Sequence, residues 1–250
     1  MSEWSTERFC ASGGVELAYY TAGSGRTVVL IHGFLASTAA NWIAPGIADK
    51  LVEAGFHVVG LDLRGHGKSD APTDPALWPE DVLASDGFEL LAHLGLINYD
   101  LVGYSLGART SARMLVRGAK PRRAVLGGMG LSGIVSAGRR AELFREWITK
   151  GEAAVDPAAG RRVHAMMQQN GAKPEAMLGV LSSFAATIEA DLAAVDVPTL
   201  VVSGVDDEDN GSPEALAAVM ANAKPLRIPG NHLSAVGAPL GRAIVEYLRS

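Results

Sequence analysis

Short runs of apolar, β-branched residues recur along the chain, and each stops at glycine, proline or a small polar residue. Thr27 to Ile31 ends at His32-Gly33, His57 to Leu61 at Asp62, and Leu101-Val102 at Gly103. Ala124 to Leu126 ends at Gly127-Gly128, Thr199 to Val202 at Ser203-Gly204, and Pro225 to Ile228 at Pro229-Gly230. Runs this short and this apolar predict strands buried on both faces. Between them, helical spacing returns near 42–54, 80–94, 106–117, 213–221 and 239–249. Strands alternating with helices imply an α/β fold, a mostly parallel central sheet covered by helices on both faces. Val15 to Thr21 and the residues near Phe9 read as an antiparallel opening hairpin.

One interval breaks the rhythm. From Leu131 to Asp196 no strand run occurs, while Arg139 to Thr149, Arg161 to Gln169 and Pro174 to Leu192 carry helical apolar spacing. The pattern predicts a core of 1–130 and 197–250 with a helical cap inserted over 131–196. An insertion between two strands falls over the carboxyl edge of the sheet, where open α/β folds place their ligands.

Composition narrows the class. Of 250 residues 48% are hydrophobic and 20% charged, which suits a domain with a full core. The 29 glycines exceed the average share of about 7%, as many tight turns out of strands require. A formal net charge of −5 argues against nonspecific nucleic-acid binding. The single cysteine, Cys10, rules out an intrachain disulfide and a zinc site of several cysteines. The first residues, Met1-Ser2-Glu3-Trp4, lack the basic, then apolar, start of a signal peptide, and no apolar run reaches the length of a spanning helix. A cytoplasmic protein with a small-molecule substrate and no nucleic-acid or membrane partner is expected; the oligomeric state stays open.

Gly103-Tyr104-Ser105-Leu106-Gly107 is a G-x-S-x-G pattern between a strand ending at Val102 and a helix starting at Leu106. A serine on such a turn takes strained angles, and small neighbours let adjacent chain approach. The Leu106 N–H then points toward a developing oxyanion, at the positive end of a helix. His32-Gly33-Phe34 turns sharply after another strand and offers the Phe34 N–H as a second donor, with His32 itself a structural residue of that loop.

These residues, together with Asp62-Leu63-Arg64-Gly65-His66-Gly67-Lys68-Ser69, resemble the α/β-hydrolase superfamily in kind and order over the first half of the chain. In that family the last segment shapes a loop beside the active site, so Asp62, Arg64, His66 and Ser69 are expected to be structural, and an Asp–Arg ion pair would account for the pattern. The family's chain order, nucleophile then acid then histidine, directs attention to the second half. After the strand ending at Val202, the family's Gly-x-x-Asp spacing from Gly204 selects Asp207, and an Asp-x-x-Ser-Pro spacing selects Asp209 as a rival. Asp207 is preferred because a strand end constrains geometry more tightly than a following loop. His232, in Pro229-Gly230-Asn231-His232-Leu233, matches the family's histidine loop, whereas His57, His93 and His164 do not follow the acid loop. Gly127 to Gly130 contains no carboxylate, which excludes an acid after the preceding strand.

The resemblance thus implies a Ser105–His232–Asp207 triad, oxyanion donors at Phe34 and Leu106, and no metal or organic cofactor. It implies hydrolysis of a small to medium, largely apolar carboxylic ester, thioester or lactone through an acyl-enzyme. Serine at the nucleophile position makes haloalkane dehalogenases and most epoxide hydrolases poor matches. Carbon–carbon bond hydrolases of ring-cleavage diketones and cofactor-free perhydrolases share the scaffold, although Leu106 replaces the methionine frequent in the latter. A ligand receptor of the same fold, with a protein partner, is the alternative of another class. Trp42, Phe144, Trp147, Met167, Leu181 and Phe184 are the expected pocket residues, while the pairs Arg139-Arg140 and Arg161-Arg162 read as solvated faces of the cap.

Overall fold

A computed structural model describes residues 2–250. Eight strands form one sheet in the order β1-β2-β4-β3-β5-β6-β7-β8: β1 Ser5–Ala11, β2 Val15–Gly23, β3 Arg26–Ile31, β4 Phe56–Leu61, β5 Tyr99–Tyr104, β6 Ala124–Gly127, β7 Thr199–Gly204 and β8 Ala223–Ile228. β1 and β2 form the antiparallel hairpin, β2 pairs antiparallel with β4, and every pairing from β4 onward is parallel. The helices of the core are α1 Ile47–Glu53, α2 Val82–His93, α3 Leu106–Val116, α9 Pro213–Val219 and α10 Ala238–Arg249.

The apolar runs form strands because both of their faces find a cover. Val29 and Ile31 of β3 pack into the cluster under α2, whereas Val28 and Leu30 pack into the opposite cluster with Ile47 and Leu51 of α1 and Ile244 of α10. Each such residue, fully removed from water, contributes about 1.5–3 kcal/mol before chain entropy is charged against it. A strand with polar alternation would leave one of those helices without a surface to cover.

The helix expected over 42–54 has two parts. A π-helical turn spans Ala39–Ile43, and Gly46 at φ 74° separates it from α1. Between β6 and β7 lie only helices among the described residues: α4 Leu131–Val135, α5 Ala137–Lys150, α6 Pro157–Asn170, α7 Pro174–Ser182 and α8 Glu189–Ala193, plus a short 3-10 turn. The single helix expected over Pro174 to Leu192 is therefore broken. Its gap has a physical cause on the core: Arg109 and Arg113 of α3 donate to the carbonyls of Ala185 and Ala186 at 2.9 and 2.7 Å, satisfying backbone that a continuous helix would have paired internally. No helix among the described residues is long and apolar enough to cross a membrane.

Candidate active site

The strand order reverses at β3, which lies between β4 and β5, so the loops leaving β3 and β5 diverge and open a crevice. Ile31 stands opposite Gly103, which brings the His32–Phe34 turn beside Ser105. Ser105 has φ 52° and ψ −115°, a conformation that costs a non-glycine residue about 1–3 kcal/mol. Glycine is needed around it. A Cβ on Gly107 would lie 2.0 Å from the Ile31 carbonyl oxygen, and one on Gly103 would lie 2.2 Å from that of Gly107.

The loops after β7 and β8 reach back over β6 to this serine. His232 Nε2 lies 3.0 Å from Ser105 Oγ, and His232 Nδ1 lies 2.9 Å from Asp207 Oδ2. Asp207 Oδ1 accepts the Asp209 N–H at 3.1 Å, and the Asp207 side chain is only 2% exposed. Two further side chains hold the relay. Tyr104 donates its hydroxyl to the His232 carbonyl at 2.7 Å, and Asn210 anchors the acid loop by donating to the Gly128 carbonyl at 3.0 Å. Burial pushes the Tyr104 phenol well above its ordinary range, so it stays a donor at any working pH. The Asp209 carboxylate lies near the relay but makes no hydrogen bond to His232; it is exposed and stands 3.5 Å from Arg140. Asp207, Asp209 and His232 are the cluster of possible metal ligands among the described residues. His232 Nδ1 and Asp207 Oδ2 share a hydrogen bond at 2.9 Å.

The oxyanion-loop side is held by neutral histidines. His32 donates from Nδ1 to the Gly33 carbonyl at 2.8 Å and accepts the Leu63 N–H on Nε2 at 3.0 Å. His66 accepts the Leu35 N–H on Nε2 at 3.3 Å and donates from Nδ1 to the Arg64 carbonyl at 3.1 Å. Burial lowers their pKa values to about 4 and about 3, since a charged ring in either place would lose its hydration and one acceptor role. Asn41 accepts the Gly33 N–H at 2.9 Å. Neither the Phe34 N–H nor the Leu106 N–H meets an acceptor among the described residues, and both residues line the cavity in front of Ser105.

Comparison with known proteins identifies the fold family. Residues 26–135 match the family model described as alpha/beta hydrolase fold. A non-heme haloperoxidase of Rhodococcus erythropolis is 30% identical over 88% of this chain and 90% of its own length. The chain belongs to the α/β-hydrolase fold family. Among solved structures, a bromoperoxidase from Bacillus anthracis is similar at 25% identity and a TM-score of 0.72, covering 98% of this chain and 100% of its own. A thermophilic esterase from Thermogutta terrifontis, with malate bound, is similar at 26% identity and a TM-score of 0.73, covering 98% of both chains.

The cavity of this α/β-hydrolase measures about 560 Å³, within the usual range for a small-molecule site. Phe34 and Leu106 line it from the core, and Phe144, Trp147, Leu181 and Phe184 line it from the inserted helices and the segment that follows α7. Two expected residues do not. Trp42 is fully buried in the cluster that contains α1, and Met167 is buried on α6, where its neighbour Met166 takes the cavity wall. One residue along a helix turns the side chain by about 100°, which apolar spacing alone does not resolve in a segment with apolar residues at both positions. Arg162 is exposed and Arg140 half-buried, and both also line the cavity. The expected Asp–Arg pair has a different partner too. Arg64 makes a buried two-bond contact with Asp86 of α2 at 3.0 and 2.7 Å, while Asp62 accepts the N–H groups of Thr38 and Lys68 at 2.7 and 2.8 Å. No sequence signal connected Asp86 with Arg64.

Proposed function

We propose that this chain is a serine hydrolase that cleaves a small to medium carboxylic ester, thioester or lactone with a largely apolar acyl part. The observation that carries the reading is the relay from Ser105 through His232 to Asp207, at 3.0 and 2.9 Å, opening on a largely apolar cavity. His232 takes the Ser105 proton as the hydroxyl oxygen attacks the substrate carbonyl. Asp207 holds the imidazole with its proton on Nδ1 and stabilises the imidazolium that forms. The Phe34 and Leu106 N–H groups receive the oxyanion, where loss of one donor costs about 2.7–4 kcal/mol of barrier. His232 then protonates the leaving alcohol, and water, activated by the same ring, releases the acid. The inserted helices 131–196 act as the cap that roofs this acyl site.

The test is hydrolysis of p-nitrophenyl esters from acetate to decanoate, with fluorophosphonate labelling followed by peptide mass spectrometry. A chain-length optimum and a label on Ser105 are expected. Hydrolysis that persists in Ser105→Ala, or a label elsewhere, overturns the assignment.

A second reading has its own support, because a relative matched along nearly all of its length is named a haloperoxidase. On the same acyl-enzyme, hydrogen peroxide in place of water would form a peracid and free Ser105, and the peracid would oxidise halide in solution. Bromide oxidation that needs both acetate and peroxide, and stops in Ser105→Ala, would establish that branch.

A further inference from the structure

Charge in the cavity runs against charge in the chain. The sequence carries a formal net charge of −5, yet the cavity wall holds Arg109, Arg140 and Arg162 against the single carboxylate of Asp209. Their situations differ. Arg109 is buried and donates to the carbonyls of Gly133, Ile134 and Ala185 at 3.2, 2.8 and 2.9 Å, with Phe184 under its guanidinium. It makes no ion pair among the described residues, and it lies in the field of Asp81 as well as of its neighbour Arg113. Arg140 donates to the Asp209 carbonyl at 2.9 Å and stands 3.5 Å from its carboxylate, an exposed and screened contact. Arg162, on α6, has neither an ion pair nor a hydrogen bond among the described residues, and no acidic residue of α5, α6 or α7 lines the cavity. Met166, Phe144 and Trp147 line the same cavity and make it largely apolar.

A guanidinium on the wall of a largely apolar cavity is matched by a carboxylate, which accepts two parallel N–H bonds from it, while the methylenes of the same ligand lie against apolar side chains. We infer that the acyl chain accepted here ends in a carboxylate, bound by Arg162 in the field of Arg109 and Arg140, so that the substrates are half-esters of aliphatic dicarboxylic acids. The inference rests on the serine-hydrolase reading and specifies its substrate class. The apolar cavity then holds the middle of the acyl chain, and the carbonyl next to the leaving group sits at Ser105.

Two six-carbon esters differing only at the far end test it: mono-p-nitrophenyl adipate and p-nitrophenyl hexanoate. Wild type is expected to prefer the adipate in kcat/KM. Arg162→Gln should lose about 10- to 100-fold on the adipate and less than about threefold on the hexanoate, the size of one lost charge-assisted contact. Arg162→Glu should reverse the preference, and added salt should weaken it in wild type only. Arg162 is exposed and outside the core, so these variants fold. Efficient hexanoate hydrolysis with no adipate preference, or equal losses on both esters, overturns the inference and leaves the serine-hydrolase reading standing. If neither ester turns over and Ser105 resists fluorophosphonate, that underlying reading fails. The anion site is then judged by calorimetric titration of monomethyl adipate. Binding weakened about tenfold or more in Arg162→Gln supports it, and unchanged or absent binding overturns it.

Discussion

The loops of the sheet edge and the helices inserted above them build one cavity by different means. In the loops, backbone places each reactive group: Ser105 sits where a strand end, a strained residue and two glycines leave no other position, and His232 is held by Tyr104 and Asp207 through bonds at 2.7 and 2.9 Å. In the inserted helices, packing decides which side chains face inward, and a rotation of one residue exchanges Met166 for Met167. Groups placed by backbone are intolerant and chemically specific. Groups placed by packing set the size, shape and charge of the chamber, and they are the natural seat of substrate preference.

Changes in the loops should therefore act on rate with little effect on stability. Ser105→Ala is expected to lower kcat by about 10⁴-fold or more, and Asp207→Asn by about 10⁴-fold through loss of the correct imidazole tautomer. Steady-state kinetics on the preferred p-nitrophenyl ester, with melting temperatures alongside, reads both quantities. A fall of only a few fold in Asp207→Asn would mean that another group orients His232, and the contrast between the two regions would lose its main support.

Acid separates the regions by a different route. His32 and His66 fold as neutral rings with pKa values of about 4 and about 3, below the ordinary 6.5. Below 6.5 the unfolded chain binds protons that the folded chain refuses, so stability falls as pH drops, until the folded rings themselves titrate near 4 and 3. Between pH 6.5 and 5 the loss is about 2 kcal/mol for each ring. Urea unfolding at pH 7, 6 and 5 should show this decline, and His66→Gln should remove about half of it. An unchanged midpoint across that range contradicts the buried, neutral pair.

Within α6 the comparison turns on neighbouring methionines. Met167→Ala, at a buried position, should cost about 2–5 kcal/mol and leave KM for the ester unchanged. Met166→Ala, on the cavity wall, should cost under about 1 kcal/mol and shift the chain-length optimum toward longer acyl groups. Denaturant melts and KM values for the ester series separate the two. The reverse pattern would mean that α6 sits about 100° from the rotation described.

What the sequence revealed follows the same division. Strand ends, the G-x-S-x-G turn and the His32 loop are local features, each written in a few adjacent residues, and the chain order implied by the family resemblance added His232 and an acid at Asp207 or Asp209. The sheet was legible because its strands are apolar on both faces. Contacts between distant segments were not legible. Arg64 meets Asp86 across 22 positions, Arg109 breaks a helix 76 positions away by taking the Ala185 carbonyl, and Trp42 points to the core because α1 and α10 close over it. Periodicity marks the inserted helices and leaves their rotation undetermined, so it does not show that Arg140 and the exposed Arg162 also border the cavity.

The smallest effect is expected where the two regions touch. Asp209 belongs to the acid loop and Arg140 to α5, and their side chains meet at 3.5 Å with relative exposures of 53% and 35%. An ion pair that open is screened by water and salt and contributes about 0–0.5 kcal/mol. Asp209→Asn preserves the backbone carbonyl that receives the better Arg140 bond, at 2.9 Å, and the N–H that Asp207 accepts. The melting temperature should therefore move by less than about 2 °C and kcat by less than about threefold, against the 10⁴-fold expected for Asp207→Asn two residues away. If Asp209→Asn instead removed most of the activity, the acid would have to be reassigned to Asp209. The 2.9 Å contact of Asp207 with His232 would then describe a resting arrangement that substrate displaces.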